Sequence, residues 1–293
     1  MQLKRLFVSW VLVAAIVPAG AQIAKMDPTL LGRATAGDAQ SQYLVGEAYA
    51  QGKGVAQDAT QAAAWFQKAA EQGNAQSQFQ LGVLFHTGQG VPQSDTDAAA
   101  WYLKAATQGF AEAQLNLGLA YDHGEGVPQN DALAADWYRK AALQELADAQ
   151  YNLGTLYERG VGVPQDYGQA ADLYRRAATQ GNASAEFNLA LLYDNGEGVD
   201  KDYAEAAQWY TKAAEAGLPR AQFNLGSMYA DGQGVAVNLI EAYYWLDLAA
   251  STWSGAHQQE ALQARNTVAA HLSADEVSKA QERAAQWLAA HQK

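Results

Sequence analysis

Apolar and small residues recur along this chain at two alternating helical spacings. In the stretch from Ala147 to Tyr157 they fall at Ala149, Leu153, Gly154 and Tyr157, one face of a helix. From Tyr203 onward a second stripe runs through Ala206, Trp209, Tyr210, Ala213 and Ala214, again at helical spacing. Between the two stripes lies a sharp break, such as Gly124-Glu-Gly-Val-Pro128. The pattern predicts a helix, a tight joint and a second helix.

This arrangement repeats. The Gly-x-Gly-Val quartet occurs six times, starting at Gly52, Gly88, Gly124, Gly160, Gly196 and Gly232, each 36 residues after the last. A phosphate-cradling loop is used once or twice per domain, and no copy supplies a third fingerprint glycine or a Walker lysine. The six quartets therefore read as joints. Gly52, Gly88, Gly124, Gly160, Gly196 and Gly232 end the first helices in a left-handed conformation. Gly54, Gly90, Gly126, Gly162, Gly198 and Gly234 let the chain turn a second time, and Pro128 stops the helix from propagating.

Asp58, Ser94, Asn130, Asp166, Asp202 and Asn238 share one repeat position and read as N-caps of the second helices. Three residues on stand Gln61, Asp97, Leu133, Gln169, Glu205 and Glu241, most able to return the bond as a capping box does. The first helix carries a small residue at Gly46, Gly82, Gly118, Gly154, Ala190 and Gly226. Glycine costs a helix about 0.8–1.0 kcal/mol relative to alanine, so a close neighbouring helix is expected there.

One such hairpin cannot bury both its apolar sides, and stacked neighbours can. The six units span 39–254 (39–74, 75–110, 111–146, 147–182, 183–218 and 219–254). The ends differ from the units, as the ends of an array should. Residues 22–38, with a short helix from Asp27-Pro28 to Ala36, read as a capping half-repeat. Residues 255–293 read as a C-terminal helical cap, with helices near 258–271 and 273–291 and a capping box at Ser273-Ala-Asp-Glu276.

The unit A-x-x-x-x-N-L-G-x-x-Y-x-x-G-x-G-V-P-x-D-x-x-x-A-x-x-W-Y-x-K-A-A-x-x-G resembles the Sel1-like repeat, a relative of the tetratricopeptide repeat. Asn116, Leu117, Gly118, Tyr121, Gly124, Gly126, Val127, Ala134, Trp137, Tyr138, Lys140, Ala141 and Ala142 carry the match. The departures are local: Leu173 for the tryptophan, Glu145 for the final glycine, Leu44 for the asparagine. The resemblance implies an all-α fold, a right-handed α/α superhelix (solenoid) of helix-turn-helix repeats. It also implies an adaptor that holds partners together, often in bacterial envelopes.

Charge and composition narrow the partners. Lys4 and Arg5, the apolar run from Leu6 to Val17 and the small residues Pro18-Ala-Gly-Ala21 read as an export signal cut after Ala21. Periplasmic or secreted localisation follows as an expectation, with no stable membrane insertion after cleavage. The remainder sets 17 Lys and Arg against 31 Asp and Glu, a balance of −14. Such a surface repels nucleic acid and favours a partner with a basic segment. The chain has no Cys, which excludes disulfides, thiol chemistry and cysteine metal ligands.

Candidate chemistry is sparse. His86, His123, His257, His271 and His291 show no metal-ligand spacing, and no Gly-x-Ser-x-Gly elbow occurs. No catalytic residue, metal or cofactor is expected. The pairs Trp101-Tyr102, Trp137-Tyr138 and Trp209-Tyr210 read as packing, and Lys68, Lys104, Lys140, Arg176 and Lys212 as solvated cations near helix ends. One row stands out: Gln80, Asn116, Asn152, Asn188 and Asn224, flanked by variable positions that include Glu112, Asp148, His123 and Arg159. Two readings of it stay open. The row grips a partner's main chain in a concave groove while the flanks read side chains, or the amides bond a neighbouring unit's backbone and stabilise the stack. The competing functions are an envelope enzyme acting on peptidoglycan or β-lactams, and a purely structural spacer.

Overall fold

A computed structural model describes residues 26–291. The expected export signal lies outside the described residues. Those residues form fifteen helices. A short α1 (Pro28–Thr35) is followed by the hairpins α2–α3 (Ala39–Gln51, Ala59–Glu71), α4–α5 (Ala75–Thr87, Asp95–Thr107) and α6–α7 (Ala111–His123, Asp131–Ala142). Then come α8–α9 (Ala147–Arg159, Tyr167–Thr179), α10–α11 (Ala183–Asn195, Tyr203–Glu215) and α12–α13 (Pro219–Asp231, Leu239–Thr252), and last α14 (Ala256–Ala269) and α15 (Ala274–His291). They gather into two compact units, one reaching Ala149 and taking in 161–163, the other holding 150–160 and everything from Pro164 on. Consecutive helices pack on one another from α1 to α7 and from α9 to α14, and α15 packs on α13, the all-α repeat architecture of a solenoid.

Both glycines of every joint have positive φ. At Gly124 (φ +70) the N–H bonds the carbonyl of Ala120 and closes α6. Gly126 has a different task. A Cβ there would lie 2.0 Å from the carbonyl oxygen of Asp95, in the first turn of the preceding second helix. The second glycine thus lets one repeat's joint lie directly on its neighbour.

All six proposed N-caps of the second helices accept the N–H three residues on, for example Gln61 to Asp58 at 3.0 Å and Leu133 to Asn130 at 3.0 Å. The expected return bond of the capping box is absent from these joints. Each cap's own N–H instead donates to a first-helix carbonyl, of Tyr49, Phe85, Tyr121, Tyr157, Tyr193 or Tyr229, at 2.8–3.0 Å. The donor that a box would satisfy is already satisfied by the hairpin. At Ser273 no such carbonyl competes and the box closes: Glu276 N–H to Ser273 Oγ at 3.3 Å, Ser273 N–H to Glu276 Oε2 at 2.8 Å.

The small residue of the first helix faces the second helix of its own repeat. A Cβ on Gly118 would stand 2.6 Å from the ring of Tyr138, which is fully buried. In the fifth repeat Ala190 occupies this place beside the fully buried Tyr210, so a methyl is tolerated.

Glu145 is the one non-glycine with positive φ among the described residues, at +62°. It stands where other repeats place Gly73, Gly109, Gly181 and Gly217, all with positive φ. A side chain in that region costs about 1–2 kcal/mol. Glu145→Gly is therefore expected to raise stability by roughly 1 kcal/mol, read as a higher urea midpoint.

Polar ladders tie repeat to repeat, and the sequence reading missed them. Gln42, Gln78 and Gln114 are buried and donate to the carbonyls of Ala34, Ala70 and Ala106 at 3.0–3.1 Å. Each accepts in turn from Gln72, Gln108 and Gln144 at 2.7–2.9 Å. Gln258 of α14 makes the same bond to Ala250 at 3.0 Å, so the cap begins in the register of a further first helix. α15 then packs on α13. Gln281 donates to the Tyr243 hydroxyl at 2.9 Å, and Arg283 pairs with Glu241 while lying over the ring of Tyr244. Tyr244 is buried at a place that Ala64, Ala100, Asp136, Asp172 and Gln208 leave exposed.

Candidate partner-binding face

Residues two, six, nine and thirteen of a repeat fall on one side of its first helix, at 100° per residue. In the unit reaching Ala149 this side presents Gln80, Val83 and Thr87, then Glu112, Asn116, Leu119 and His123. In the other it presents Asn152, Thr155 and Arg159, then Asn188, Leu191 and Asn195, then Asn224. His123 and Arg159 are exposed, Glu112, Asp148, Gln80, Asn152, Asn188 and Asn224 half-buried, and Asn116 is only 1% exposed. Val83, Leu119 and Leu191 give the face an apolar middle. Their signal was legible three residues beyond each amide.

Three amides of the row lie beside phenols of the preceding repeat, Asn116 by Tyr102, Asn188 by Tyr174 and Asn224 by Tyr210, and each opposes the rise that burial gives the phenol. Tyr174 passes its own proton toward Glu158, and Tyr210 donates to Asp194 at 3.3 Å. Tyr138 does the same with Asp122 at 3.1 Å. Burial first, and then these carboxylates, push the phenols of Tyr138 and Tyr174 well above their ordinary range, so they act as permanent donors. In the second repeat His86 takes the acidic position and pairs with Asp95 at 2.7 Å.

The second helices turn a different surface outward. Tyr102, Tyr138 and Tyr210 are buried, whereas Trp101, Trp137 and Trp209 are half-buried. Each indole is covered by a lysine one turn on. The ammonium groups of Lys68, Lys104, Lys140 and Lys212 sit 4.0, 3.6, 3.6 and 3.8 Å from the ring centroids of Trp65, Trp101, Trp137 and Trp209. The four lysines of the expected solvated row are exposed and also make cation–π contacts. They shield the apolar outer face, whereas the flanks of the first-helix face differ from repeat to repeat. Among the described residues no cluster of three His, Asp or Glu is arranged to hold a metal ion.

The hairpin period, joints and aromatic pairs together meet one family description. The Sel1 repeat model matches at 39–74, 75–110, 111–146, 147–182, 183–218 and 219–251. The chain belongs to the Sel1 repeat family. Two solved Sel1-type structures share its fold. One is c5321, a protective antigen of uropathogenic Escherichia coli strains displaying an SLR fold, 32% identical with a TM-score of 0.75 over 88% of this chain. The other is a Sel1 repeat protein from Oxalobacter formigenes, 34% identical with a TM-score of 0.69 over 86% of this chain. The chain spans 63% of the length of the E. coli protein and 97% of the Oxalobacter protein. Comparison with curated protein sequences finds no match. No helix among the described residues is long and apolar enough to cross a membrane.

Proposed function

We propose that this Sel1 repeat protein is a non-enzymatic scaffold of the bacterial cell envelope that binds a protein or peptide on its first-helix faces. The observation that carries the reading is the contrast between the two sides of the hairpins. Outer indoles are sealed by lysines, whereas the first-helix side joins a constant amide row to flanks that differ from repeat to repeat. Gln80, Asn152, Asn188 and Asn224 offer amides at the edge of exposure, while Asn116 is buried beside Tyr102. Glu112, Asp148 and His123 in one unit and Arg159 in the other tune the choice. The acidic balance favours a basic partner segment. The N-terminal segment read as an export signal and the E. coli relative described as a protective antigen support an envelope setting, periplasmic or secreted.

The test uses flank residues, because three of the amides lie against buried phenols and their loss would disturb packing as well. Purified full chain is used to capture partners from envelope extract, alongside Glu112→Lys/His123→Glu, Arg159→Glu and the outer-face control Asp136→Lys. The expected result is a protein retained by wild type and control but reduced at least tenfold by a face variant, with all melting midpoints alike. The same loss must recur with the purified partner. Retention by every face variant, or hydrolysis of peptidoglycan or a β-lactam by the pure chain, would refute the proposal.

A further inference from the structure

At the fourth position of the repeat, five copies carry a buried glutamine: Gln42, Gln78, Gln114, Gln150 and Gln222, none more than 5% exposed. Gln150 accepts from Gln180 at 2.9 Å, and Gln222 donates to the carbonyl of Ala214 at 3.2 Å, as the ladder does elsewhere. The fifth repeat breaks the rule twice. Its fourth position is Glu186, 6% exposed, and the residue corresponding to Gln180 is Ala216. The carbonyl at the corresponding place is that of Ala178, eight residues upstream.

An ionised carboxylate has no proton to offer that carbonyl, and a methyl at Ala216 has none to offer the carboxylate. The charged groups facing Glu186 are Lys212 and Glu215, both on α11. The ammonium of Lys212 also lies 3.8 Å from the Trp209 ring centroid.

We propose that Glu186 is a proton-operated latch between the fourth and fifth repeats. Protonated, its hydroxyl stands in for the glutamine amide on the carbonyl of Ala178 and draws α9, α10 and α11 together. Ionised, it leaves a buried charge and an unmade bond, and the contact loosens.

The direction of titration agrees. Burial raises the Glu186 carboxyl above its ordinary value of 4.5, Lys212 opposes this and Glu215 adds to it. An acid with a raised folded value binds its proton more tightly folded than unfolded. Its contribution to stability is complete below the ordinary value and is lost as pH rises through the folded value.

Melting of the full chain and of Glu186→Gln, at steps from about pH 4 to pH 8, tests this. Glu186→Gln should melt about 2–4 °C above wild type at the top of the range, with the gap closing as pH falls below the ordinary carboxylate value. A gap that does not change with pH, or a variant melting at or below wild type near neutrality, overturns the latch. Adding Ala216→Gln to Glu186→Gln rebuilds the paired amides and should raise the midpoint again at all pH values. No rise would mean that the ladder geometry does not extend to the fifth repeat, which also overturns the proposal.

Discussion

Gly126→Ala is expected to destabilise the chain by about 2–5 kcal/mol, because two costs fall on one atom. The residue has φ +71°, where an added Cβ is disfavoured by about 1–2 kcal/mol. The same Cβ would meet the Asp95 carbonyl oxygen at 2.0 Å and its carbon at 2.2 Å. Both are main-chain atoms in the first turn of α5, so they cannot rotate out of the way. The hairpins α4–α5 and α6–α7 would have to separate. Gly124→Ala is the control. It has nearly the same φ, but its nearest neighbour is the Gln129 Cβ at 3.3 Å, so only the conformational cost of about 1–2 kcal/mol remains. Urea denaturation followed by helical dichroism separates the two. Equal losses would mean that the joints do not lie on their neighbours.

Tyr174→Ala is expected to cost about 3–5 kcal/mol, the usual range for removing a buried large aromatic. Tyr174 is fully buried, its ring beside Gly154 and tilted against Tyr151 at a centroid distance of 5.9 Å. Tyr174→Phe keeps that packing and removes one oxygen. It should still cost about 1–3 kcal/mol, because Glu158 loses its phenolic donor. A double-mutant cycle of Tyr174→Phe with Asn188→Ala gives the second reading. A coupling energy near zero would show that the amide does not depend on the phenol, and would return the asparagine row to a purely partner-binding role.

Much of the fold was legible because its determinants are local. Helical spacing, a cap residue such as Asn130 and a helix-ending glycine such as Gly124 each act within a few residues. A strict 36-residue period multiplies that signal six times. The box at Ser273 could be read correctly for the same reason, whereas the box expected at Asp58 failed through a competitor, the carbonyl of Tyr49, nine residues back across the joint. The candidate face was half legible. Its amides and flanks could be placed by helical angle, but the position of three amides beside phenols of the preceding repeat could not.

By itself, then, the amino-acid order settled that paired helices alternate with glycine joints, where each hairpin starts and stops, and which side of each helix is apolar. Stacking alone decided what those sides meet. It set Gly126 against the Asp95 carbonyl, seated glutamines on alanine carbonyls of the previous repeat, bonded Tyr174 to Glu158, and left Glu186 buried where an amide belongs. These partners are drawn from different helices and are chosen by the rotation of one hairpin upon the next. A one-dimensional pattern carries the period of that rotation but not its angle.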